Sequence, residues 1–148
     1  MRRRTKVTAV TLLVAVPAFV LGPVLFPVSP QVPIPSPFQM PFLLAYSVLE
    51  AVLLGLGVAF AVYGWPAVRA GVPSSRRLAV ATHVSLVWLM ANWWAHTGMH
   101  LRNGTELGGL IVIDYAFHVP IVAASLIVAA AVVSRVRQEI TTRAHAAQ

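Results

Sequence analysis

The residues in this chain that could do chemistry are few and evenly spaced. In the stretch 92–100, "NWWAHTGMH", His96 and His100 stand four residues apart, and "DYAFH" repeats that spacing with Asp114 and His118. On a helix, residues i and i+4 hold their β-carbons about 5–6 Å apart on one face. Each pair can therefore reach a single ion, as the two histidines of H-E-x-x-H reach zinc. Glu50 adds a carboxylate inside a strongly apolar run.

Three neutral imidazoles with one or two carboxylates suit a transition metal such as zinc or iron. The candidate ligands are His96, His100, His118, Asp114 and Glu50. A carboxylate can serve equally by fixing a histidine tautomer without touching the metal. With one coordination position open, such a site can acidify a water for hydrolysis or bind oxygen for oxidation, so both hydrolase and oxidoreductase chemistry are within reach. Cysteine is absent, which excludes disulfides, thiolate metal sites and cysteine nucleophiles together.

These residues need elements to position them, and composition says which. Of 148 residues, 58% are hydrophobic and only 10% charged, outside the range of soluble domains. A spanning helix needs about 20 consecutive apolar residues. Four segments qualify: 7–26, 42–65, 78–99 and 109–133. The expected fold is all-α, a single domain over 1–148 formed by a membrane bundle of four transmembrane helices. A proline-rich connector covers 27–41 and a tail covers 134–148.

The net charge of +7 does not point to nucleic acid, because the basic residues form short clusters beside the apolar runs. Arg2, Arg3, Arg4 and Lys6 precede the first run. Arg69, Arg76 and Arg77 separate the second from the third, and Arg135, Arg137 and Arg143 follow the fourth. By the positive-inside rule both termini are cytoplasmic. The first run shares a signal peptide's basic start and apolar core, but no small-x-small cleavage site follows it. Arginine outnumbers lysine and Ala, Val, Pro and Gly abound, which hints at a GC-rich bacterial genome and so at a multi-pass protein of the inner (plasma) membrane.

Direction follows from about 100° of rotation per helical residue. On the third segment Asn92, His96 and His100 share a side, and on the fourth Asp114, His118 and Ser125 form a narrow stripe. On the second, Glu50 shares a face with Tyr46, Gly57, Ala61 and Gly64, small residues that let helices approach closely. The third and fourth segments are joined by a short turn and must be antiparallel neighbours, so their polar stripes can meet. Pro120 leaves the Ala116 carbonyl without its helical donor and predicts a kink. Asn103 and Glu106 have capping-box spacing. Trp93 and Trp94 fit an aromatic belt at the outer interface, and His83, off the stripe, fits the opposite interface.

Other readings compete. Haem b could be held axially between His96 or His100 and His118, or a quinone handled there. Intramembrane carboxylates and histidines also serve proton and ion transport. As interhelical glue, the same residues would make the chain a structural or accessory subunit. The partners expected are the lipid bilayer and either a larger membrane complex or a homo-oligomer.

Overall fold

The computed structural model describes residues 3–73 and 75–146, with side chains to residue 144. His145, expected in an exposed tail, lies outside the described side chains. The protein is all-helical, with no strand among the described residues. Its four long helices are apolar enough to cross a membrane. They are α1 (Arg3–Leu25), α2 (Met40–Tyr63), α4 (Arg76–Asn103) and a last helix built from α5 (Leu107–Ile113), a π-helical turn (Asp114–His118) and α6 (Val119–Ala146). A short helix, α3 (Trp65–Gly71), links α2 to α4.

Glycines and alanines set how the long helices meet. Gly55 presses on α1 so closely that a β-carbon there would lie 2.3 Å from the Thr11 carbonyl oxygen. Gly57 does the same on α4, where a β-carbon would lie 2.8 Å from that of Ala91. Ala15, Ala18 and Ala51 are buried together between α1 and α2, with Trp94 of α4 packed against them. A second buried cluster, Val68, Val72, Ala79 and Ala131, joins α3, α4 and α6. Thus α2 lies between α1 and α4, and α6 packs chiefly on the other side of α4. Large apolar side chains such as Leu13, Val24, Phe42, Val62, Val84 and Leu126 point away from these contacts and are exposed.

Several boundaries differ from the sequence expectation for physical reasons. The second helix stops at Tyr63 because Pro66 has no N–H to offer the Val62 carbonyl, and the chain restarts as α3 from Gly64. The helix that carries His96 continues to Asn103, four residues past the expected end, and is stopped by Gly104 at φ 59°. The capping box therefore does not form. Glu106, not Asn103, occupies the N-cap position of α5, and it makes no side-chain cap. The last helix runs on well past residue 133, its polar end held by an Arg135–Glu139 pair at 2.7 Å.

The two ends of the molecule are chemically distinct. At one, the proline-rich segment is tied across the α4–α5 turn: Ser29 N–H donates to the Leu101 carbonyl at 2.8 Å. The Gln31 Oε1 accepts from Thr105 N–H and Oγ1 at 3.1 and 2.9 Å. At the other, Arg3 donates to the Tyr63 carbonyl, while Arg135 reaches the Ala70 and Gly71 carbonyls at 3.2 and 3.3 Å. Arg69 donates to the carbonyls of Val72 and Pro73 at 2.8 and 2.9 Å. The basic ends of α1, α3 and α6 are thus gathered at the end opposite the proline-rich strap.

Candidate metal centre

The antiparallel pair of α4 and the α5–α6 helix brings three imidazoles together. His96 and His100 project from one face of α4, and His118 meets them from the π turn. The ring nitrogens that these three residues offer all lie within 4.8 Å of one another. His96 Nε2 is 2.9 Å from His118 Nε2 and 3.2 Å from His100 Nε2. At an imidazole–metal bond of about 2.0–2.1 Å, a tetrahedral site has nitrogen–nitrogen edges of about 3.3 Å. Two of the three edges are already near that length.

Asp114 completes the arrangement from one turn below. Its Oδ1 accepts from His118 Nδ1–H at 2.7 Å. Because the carboxylate fixes the proton on Nδ1, the Nε2 of His118 is left with a lone pair directed at His96. This carboxylate–imidazole pair is the form in which proteins commonly orient a metal-ligating histidine.

Hydrogen bonding alone does not satisfy the cluster. An imidazole nitrogen has either one proton or one lone pair. His96 Nε2 faces two ring nitrogens at hydrogen-bonding distance. If it is protonated, it can donate well to only one of them. If it is bare, its single in-plane lone pair cannot accept two donors, and its proton moves to Nδ1, which is buried and has no partner. A cation at the centre accepts all three lone pairs at once.

The local backbone explains how His118 reaches this position. Pro120 cannot donate to the Ala116 carbonyl, and instead of a simple kink the helix widens into a π turn, in which Val119 N–H donates to the Asp114 carbonyl. Such π bulges are frequent at functional sites. Aromatic rings wall the cluster on α4 and the π turn. Phe117 lies 5.4 Å from His96 between ring centroids and stacks on Trp88, and Trp93 meets His96 edge-on at 5.8 Å.

The sequence-derived candidates do not all converge. Asp114 joins the histidines through His118. Glu50, on α2, stands on the other side of α4 and bonds to the Thr97 hydroxyl. Thr97 follows His96 directly, and one residue of rotation, about 100°, separates what α4 shows to α6 from what it shows to α2. Asn92 is buried on α4 and donates to the Trp88 carbonyl at 2.6 Å, within its own helix.

Two residues expected at membrane interfaces have structural roles. Trp94 does not belong to an outer belt: its Nε1–H donates to the Ala18 carbonyl at 3.1 Å and its ring meets Phe26 edge-on. His83 packs between Phe60 and Trp65, with Nε2 at 3.3 Å from the Ala61 carbonyl. Spacing does not single out Thr97 or Phe117. The only signal for either is adjacency to a candidate histidine. Compared with known protein families, curated proteins and solved structures, the chain matches none.

Proposed function

We propose that this protein spans a bilayer four times, with both termini cytoplasmic, and binds a transition metal through His96, His100 and His118 near the extracytoplasmic end. Asp114 orients His118 and supplies negative charge. The observation that supports this reading most strongly is the convergence of the His100 and His118 ring nitrogens on His96 Nε2, with His118 fixed in the ligating tautomer by Asp114. The four long apolar helices and the arginines gathered at one end support the topology.

Three protein nitrogens leave a fourth position for water or substrate, which is the pattern of catalytic rather than structural zinc sites. A metal held there supplies Lewis acidity, lowering the pKa of a bound water toward neutrality. His96 and His100 would fix its place against α4, His118 would ligate it from the π turn, and Asp114 would supply negative charge through His118. The cluster is the candidate centre of a membrane hydrolase, or of an oxidoreductase if the metal is iron. Haem b is less well supported, because an iron between two axial imidazoles needs about 4 Å between their nitrogens, twice an imidazole–metal bond. His96 and His118 are 2.9 Å apart, which counts against that pair, while His100 and His118, with nitrogens within 4.8 Å, are the pair a haem would have to use.

The test is the metal content of protein purified in detergent from cells grown in ordinary medium. About one transition-metal ion per chain is expected, falling well below that in His96→Ala and His118→Ala. No stoichiometric metal in the native protein, or undiminished metal in both variants, would refute the reading.

A further inference from the structure

The face of α4 turned away from the imidazoles builds a second site. A cavity of about 400 Å³ lies among α1, α2, α4 and the start of the proline-rich strap. This is within the size range of small-molecule sites. Its walls are mainly apolar and aromatic, including Phe19, Phe26 and Trp94; the polar side chains set into it are Ser47 and Glu50 of α2 and, on the facing helix, Thr97 of α4. Glu50 is only 5% exposed. None of the residues lining the cavity is Lys, Arg or His, so among the described residues the carboxylate has no basic side chain beside it.

A carboxylate buried among apolar groups is stable only when neutralised or paired. The Thr97 hydroxyl donates to Glu50, which orients the carboxylate without balancing its charge. The charge that would pair with it is positive, and the space beside it is apolar, with aromatic side chains in its wall. We propose that this cavity binds an organic cation, an ammonium group carried on an apolar body, with Glu50 as counter-ion and Trp94 and Phe26 against the apolar part. Gly98 makes the aromatic wall possible, since a β-carbon there would lie 2.4 Å from the Phe26 ring. The site is separate from the imidazole cluster and does not depend on metal.

The experiment is calorimetric titration of the full chain in lipid nanodiscs with phenethylammonium, and with phenethyl alcohol as a neutral molecule of similar shape. The ammonium should bind saturably, one per chain, and at least tenfold more tightly than the alcohol. Glu50→Gln should lose at least tenfold in ammonium affinity and leave the alcohol unaffected. Gly98→Ala, which displaces Phe26, should weaken binding of both. An unchanged melting temperature reports that each variant is folded, and the comparison of ammonium with alcohol needs no variant. Equal affinity for the two probes, undiminished ammonium binding in Glu50→Gln, or no saturable binding to the native chain would each overturn the proposal.

Discussion

Asp114 gives the most quantitative handle on the proposed metal site. The residue touches no other imidazole of the cluster, and its side chain is 65% exposed, so its removal costs little packing. What it contributes is orientation and charge: the bond to His118 Nδ1–H at 2.7 Å fixes both tautomer and ring direction. Losing an outer carboxylate of this kind lowers metal affinity by about 10–100-fold, equivalent to about 1.4–2.7 kcal/mol. Asp114→Ala removes both orientation and charge and should fall toward the upper end of that range. Asp114→Asn retains an oxygen that can accept from Nδ1 and should fall toward the lower end. The assay is competition for zinc with a chelator of known affinity, on protein in detergent, with the melting temperature as a control for folding. Wild-type affinity in Asp114→Ala would refute the argument that His118 is a ligand fixed through its Nδ1. A larger loss in Asp114→Asn than in Asp114→Ala would refute the role assigned to the accepting oxygen.

Further predictions follow from packing and topology. Gly55→Ala places a β-carbon against the Thr11 backbone, which cannot swing aside, and should destabilise by about 1–3 kcal/mol, read as a lower melting temperature. Gly108→Ala, with nothing within 4 Å of the added carbon, should be neutral or stabilise the helix by up to about 1 kcal/mol. Trp94→Phe retains the ring contact with Phe26 but removes the indole N–H that bonds the Ala18 carbonyl, and should cost about 1 kcal/mol with metal content unchanged. His83→Phe should leave metal stoichiometry intact, because His83 lies with Phe60 and Trp65 and outside the imidazole cluster. Reporters fused after Gln148 should be active only in the cytoplasm, and activity confined to the outside would overturn the topology.

The helices and half of the site were legible from periodicity. Apolar runs separated by basic clusters marked the long helices, and four-residue spacing put His96 with His100 and Asp114 with His118. The turn at 104–106 then forced the two pairs to face each other. Glu50 was harder, because its face of α2 touches both α1 and α4, and a spacing argument cannot say which side of α4 it meets. Thr97, one residue from His96, decides that question, and its role depends on the tertiary register of α2 against α4. Trp94 misled for a related reason. An aromatic residue near a helix end fits both an interface belt and an internal contact, and only the small residues Ala15, Ala18 and Ala51 opposite it make room for the second. The π turn was signalled by Pro120, but a proline announces only that a hydrogen bond is missing, not how the helix will absorb the loss.

Whether three imidazoles hold one metal ion is read from X-ray absorption spectroscopy of the zinc-loaded protein. Three imidazole nitrogens at about 2.0–2.1 Å are predicted, falling to two in His100→Ala. A spectrum with one imidazole or none, or one unchanged by removal of His96, His100 or His118, would contradict such a site.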